Sequence, residues 1–102
     1  MGGGWAGRPP SVQIRRIPVP TYLVESYMPP SRSNTGDRDA TLARAVAELA
    51  REGIQVEHRR TTFVAEDDTC FYVVEASSQV AVVDLCRRAG LGHVRIVPAV
   101  ET

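Results

Sequence analysis

Tyr22-Leu23-Val24-Glu25-Ser26 and Tyr72-Val73-Val74-Glu75-Ala76 are nearly the same strand written twice, once in each half of the chain. Both are rich in β-branched and aromatic residues, which suit a pleated and partly buried surface. Each is followed by a helical pattern that ends in glycine and then an apolar residue, Gly53-Ile54 in the first half and Gly90-Leu91 in the second, the usual signature of a left-handed helix stop. The chain therefore reads as two β-α-β halves.

Working outward, the first strand spans Thr21 to Tyr27 and is stopped by Met28-Pro29-Pro30, because proline cannot donate to a ladder. Ser31 to Gly36 is polar and turn-forming, and Asp37 or Asp39 is placed to cap the helix that follows. In that helix Leu42, Val46, Leu49 and Ala50 repeat at helical spacing, with Arg44, Glu48 and Arg51 on the other side. Ile54 to Ala65 and Cys70 to Ala76 form the second and third strands, joined by a tight hairpin turn at Glu66-Asp67-Asp68-Thr69. Asp67 and Asp68 are turn residues first and metal ligands only remotely. Ser77 or Ser78 caps a second helix with a buried stripe of Val82, Val83, Cys86 and Ala89. His93 to Val100 is the fourth strand, and Pro98 puts it at an edge.

The expected architecture is an α+β, ferredoxin-like β-α-β-β-α-β sandwich: a four-stranded antiparallel or mixed sheet of order 4-1-3-2 with two helices on one face. Strands one and three are expected side by side and parallel at the centre. Residues 1–20 hold most of the glycine and proline and no periodic apolar pattern, so they read as a disordered arm ahead of a domain over residues 21–102. Trp5 is then an isolated tail aromatic.

Composition narrows the function. Twelve basic and twelve acidic residues give a net charge of zero, without the positive field that draws most proteins to nucleic acid or anionic membranes. Every basic residue is Arg, which reads as a coding bias. The two cysteines, Cys70 and Cys86, fit neither a redox pair nor a zinc site and read as free core thiols. The start of the chain lacks the apolar core of a signal peptide, and no apolar run approaches ~20 residues, so the expectation is a cytoplasmic protein. A domain this small buries only about 60–65% of its unfolded surface, which favours pairing with a second copy.

Alternation places Tyr22, Val24, Tyr72 and Val74 on the face toward the helices, and Leu23, Glu25, Phe71, Val73 and Glu75 on the other. With Tyr27, that second face is more apolar than a lone sheet shows to water. A hairpin at Asp67-Asp68 puts Val64 opposite Phe71, Thr62 opposite Val73 and Arg60 opposite Glu75, with His58 one step further along the same face. Glu25 and Glu75 would then lie about 5–7 Å apart at Cβ. Two bare carboxylates so placed need a proton, an arginine such as Arg60 or Arg95, or a cation. The face of His93 and Arg95 is left open, because Pro98 can shift the register.

Tyr22 to Tyr27, Glu66 to Ala76 and Arg87-Arg88-Ala89-Gly90-Leu91 together resemble a family of small bacterial domains of unknown function related to an actinobacterial nickel-responsive, nickel-binding protein. The resemblance spans roughly Tyr22 to Glu101 and implies a ferredoxin-like fold and a dimer whose sheets face each other as an α+β barrel. It also raises nickel as a ligand. Imidazole suits that ion and carboxylate is an acceptable companion, which makes Glu25, Glu75, His58 and His93 the candidate metal ligands.

Three functions follow as expectations. The first is a non-enzymatic homodimer that holds a divalent metal or small ligand on its open face, in a pocket of Tyr27, Arg60, Phe71 and Val73. The alternative is a small cofactor-free oxygenase or isomerase of the dimeric barrel kind, with Glu25, His58 and Glu75 for acid–base work. An RNA-recognition domain shares the element order, but its central strand should combine a basic residue, a glycine and stacking aromatics, and Thr69-Cys70-Phe71-Tyr72-Val73 does not match that motif.

Overall fold

The computed structural model describes residues 19–28 and 35–100. Its elements run β1 (Thr21–Tyr27), α1 (Thr35–Arg51), β2 (Val56–Val64), β3 (Thr69–Ala76), α2 (Gln79–Ala89) and β4 (Val94–Ala99). The sheet order β2-β3-β1-β4 is 4-1-3-2 read from the other edge. The chain is thus an α+β, ferredoxin-like domain. Most of the expected arm, the stretch 29–34 and the last two residues lie outside the described residues.

All three strand pairs are antiparallel, the central β1–β3 pair included, which corrects the expectation of a parallel centre. The crossover through α1 makes β2 parallel to β1, and the hairpin after β2 sends β3 back between them. A strand inserted there must oppose both neighbours.

Alternation sorts the faces as expected. Tyr22, Val24, Cys70, Tyr72, Val74 and Ala76 are buried beneath the helices, where they meet Leu42, Ala45 and Leu49 of α1 and Val82, Leu85 and Cys86 of α2. Two stripe assignments change: Ala50 is exposed while Ala45 is buried, and Val83 is 48% exposed while Leu85 is fully buried. From Val82 the positions three, four and seven along are Leu85, Cys86 and Ala89, whereas Val83 is turned about 100° off that line. Helix α1 begins at Thr35, so Asp37 sits in its first turn and acts on the helix dipole from inside.

Both helices stop as their glycines indicate. Gly53 has φ 84° and Gly90 φ 69°. Ile54 N–H reaches the Leu49 carbonyl at 2.9 Å and Leu91 N–H that of Cys86 at 3.1 Å, closing the same Schellman arrangement twice. At the start of α2, the Ser78 side chain accepts from Ala81 N–H at 3.3 Å. Arg88 of α2 then forks onto the Glu52 carboxylate at 2.8 and 2.7 Å, tying the end of α1 to α2.

Cys70 and Cys86 are free and buried, as expected. Burial pushes the Cys86 thiol up to about 11, leaving it protonated and unreactive. Among the described residues, no helix is long and apolar enough to cross a membrane.

Candidate functional site

The uncovered face is built in cross-strand rows. Val97, Leu23, Val73 and Arg60 form the middle row, with Arg95, Glu25, Phe71 and Thr62 on one side of it. On the other side lie Ala99, Thr21, Glu75 and Glu57. Leu23, Phe71, Val73 and Val97 are each half-buried without any helix above them, so the face keeps its apolar centre with a charged row at either side.

Glu25 and Glu75 share this face but do not meet. Glu75 pairs with Thr21, and Glu25 with Phe71, so four residues of strand, about 13 Å, separate the carboxylates. The expected close pair fails because the two copies of the motif run in opposite directions. Matching positions then diverge from the Leu23–Val73 centre. Each carboxylate has its own arginine: Arg95 Nη1 donates to Glu25 Oε2 at 3.1 Å, and Arg59 Nη1 to Glu75 Oε2 at 2.7 Å.

Arg59 takes the role expected of Arg60 through two local features. Ala65–Asp67 forms a 3₁₀ turn closed by Asp68 at φ 48°, so the loop is longer than a two-residue hairpin and Val64 pairs with Thr69. That slip of two residues preserves the faces of Thr62 and Arg60. Beyond it, the register shifts between His58 and Arg60. The extra residue turns His58 to the helix side.

His58 therefore leaves the open face, contrary to expectation. It pairs with Val74 and meets the Tyr72 ring edge-on, centroids 5.8 Å apart. Its Nε2 lies 2.8 Å from Thr61 Oγ1, which donates to Asp39 Oδ1 at 2.9 Å. Because the threonine proton goes to Asp39, His58 Nε2 must carry the hydrogen in its own bond. That chain anchors β2 to α1.

His93 behaves oppositely. Pro98 pairs with Tyr22 without disturbing the ladder, and Arg95 pairs with Glu25, which settles the register of β4. His93, Glu25, Tyr27, Thr69, Val94 and Arg95 line a depression of about 340 Å³ at one corner of the face. Of the four proposed metal ligands the structure brings together Glu25 and His93. Glu75 lies toward the other end and His58 on the opposite side. Among the described residues, no group of three or more His, Cys, Asp or Glu side chains converges as a metal site requires, so the nickel set does not fit within one chain.

Sequence reasoning missed Thr69 and Val94 in this corner. Thr69 stands opposite Tyr27 and Val94 opposite Ser26, partners that appear only once both registers are known. It also missed the polar plug behind the corner. Ser26 is fully buried; its Oγ accepts from Arg38 Nη1 at 2.6 Å and donates to the Leu91 carbonyl at 3.4 Å. Arg38 Nη2 also donates to the Tyr27 carbonyl at 3.3 Å, so α1 braces the end of β1 from which Tyr27 projects.

Beside that plug, the Tyr72 hydroxyl is buried without a hydrogen-bond partner of acceptable geometry, although Arg38 and Cys70 lie near it. Burial pushes its phenol up to about 12. The chain matches no protein-family model, no curated protein and no solved structure, so what it shares with known proteins is the ferredoxin-like β-α-β-β-α-β fold that its own elements display.

Proposed function

We propose that this domain is a non-enzymatic binding module which pairs with a second copy through its open sheet face and holds a small ligand at the Glu25–His93 corner. The observation that carries the reading is the depression of about 340 Å³, where a carboxylate, an imidazole, a guanidinium and a phenol meet at the rim of an apolar sheet. Pockets of this kind pair a flat apolar wall with a few polar groups that orient the ligand. A second sheet stacked at about 10 Å would cover Leu23, Phe71, Val73 and Val97 and turn the open corner into a cleft.

The small-ligand form of the expected function is preferred to the divalent-metal form because the four named ligands are dispersed. The acid–base trio of the enzymatic alternative is dispersed too, since Glu25 and Glu75 lie well apart and His58 is on the other face. Two measurements test the proposal. Sedimentation equilibrium should give twice the chain mass, and a fragment library added to ¹⁵N-labelled protein should shift the amides of Glu25, Tyr27, Thr69, Val94 and Arg95. A monomer whose corner amides respond to no fragment would end it.

A further inference from the structure

The corner holds more hydrogen-bonding capacity than the fold uses. Arg95 and Glu25 make one bond to each other, Nη1 to Oε2 at 3.1 Å, although a guanidinium carries five donors and a carboxylate can receive a two-pronged fork. Neither makes another bond or ion pair among the described residues, and neither do His93 and the Tyr27 hydroxyl. Exposure of the pair is 70% at Arg95 and 29% at Glu25, so its opening costs little.

The ladder fixes where the two residues stand on the sheet, while their side chains are free to part. Glu25 and Arg95 are cross-strand partners within the ladder, so a positive and a negative group stand a few ångströms apart at the rim of one depression. Tyr27, 60% exposed, projects from the same face and supplies an apolar wall beside them. A ligand with one charge would satisfy one partner and strand the other. A zwitterion satisfies both.

Resting on the ligand-site reading above, we propose that the corner recognises a small zwitterion of the α-amino-acid type with an apolar or aromatic side chain. The ligand carboxylate replaces Glu25 on Arg95 and takes the two-pronged contact that Glu25 leaves unused. Its ammonium is received by the released Glu25 carboxylate, and its side chain lies along Tyr27. The exchange trades one exposed, single-pronged contact for charge-assisted bonds at both ends of the ligand.

The test uses the full chain, ¹⁵N-labelled, titrated separately with L-phenylalanine, 3-phenylpropionate, which lacks the ammonium, and phenethylamine, which lacks the carboxylate. The expected result is saturable shifts at Glu25, Tyr27, Thr69 and Arg95 with L-phenylalanine, and affinity lower by about tenfold or more for either analogue, one charged hydrogen bond being lost. Glu25→Gln should remove the preference for L-phenylalanine over 3-phenylpropionate, and should bind the latter no more weakly than the parent does, because no carboxylate then has to be displaced from Arg95. The double exchange Glu25→Arg/Arg95→Glu, which keeps both charges, should restore the preference for the zwitterion. Equal affinities for all three compounds, or corner shifts from other fragments but none from L-phenylalanine, would overturn the zwitterion while leaving a ligand site in place. Silence of the corner toward every compound would remove both.

Discussion

Leu23 stands directly opposite Val73 across β1 and β3, at the centre of a row that Val97 and Arg60 complete. The row crosses the middle of the face that no helix covers. A lysine there would meet its counterpart in a face-to-face dimer, where burying an unpaired charge costs several kcal/mol (~3–5), yet it would not touch the helix-side core. On the proposed pairing, Leu23→Lys is therefore expected to sediment as a monomer with unchanged far-ultraviolet circular dichroism. A Leu23→Lys protein that sediments as a dimer would move the interface elsewhere.

The β-α-β-β-α-β order was legible because its signals are local. Two alternating strands, two glycine stops and Ser78 each declare themselves within a few residues. Which side chains lie beneath the helices was legible as well, since a two-residue slip in the hairpin leaves every side chain on the same face. The candidate site depended on what local patterns do not encode. Glu25 and Glu75 occupy the same place in a repeated motif, and antiparallel pairing turns that equivalence into distance. The extra residue before Arg60 has no mark in Val56–Val64, yet it moves His58 across the sheet. His93 joined Glu25 only after Pro98 and Arg95 had their partners.

Alkali should loosen the core in two steps. Burial raises the Cys86 thiol from 9.0 to about 11 and the Tyr72 phenol from 10.0 to about 12. A group with a raised folded-state pKa contributes stability that is complete below its unfolded value and lost as pH rises through the folded one. Denaturant midpoints should therefore fall from about pH 9 to 11 through Cys86 and from about pH 10 to 12 through Tyr72. Tyr72→Phe is expected to flatten the upper part of that decline. At neutral pH it should raise stability by about 1 kcal/mol, because the deleted hydroxyl has no partner to lose.

Gly53 offers a test of backbone strain without packing. Its φ is 84°, and a Cβ built there would meet nothing within 4 Å. Gly53→Ala should consequently lose only the left-handed penalty, about 1 kcal/mol. Urea denaturation should show a lower midpoint with an unchanged slope. A change in slope, or a loss several times larger, would mean that the end of α1 is held by more than the Schellman bonds.

Arg88 is the hinge pin between the helices, and its contribution should depend on acid. Its guanidinium grips Glu52 at 2.8 and 2.7 Å and reaches Asp84 Oδ1 through Nε at 3.2 Å. The hydrogen bond from Arg88 holds the Glu52 carboxyl below its ordinary 4.5, and the carboxylates in turn hold the proton on Arg88 more firmly. Because the folded pKa of Glu52 is depressed, the stability it lends is complete above 4.5 and is lost as pH falls through the lowered value. Arg88→Met keeps the apolar stem and removes the charge. Thermal melts should place the variant below the parent at neutral pH, with the gap closing in acid and narrowing in salt, since this pair faces water. If the gap instead persists unchanged below the carboxylate range, Arg88 joins the helices by packing along its stem and the fork onto Glu52 adds nothing.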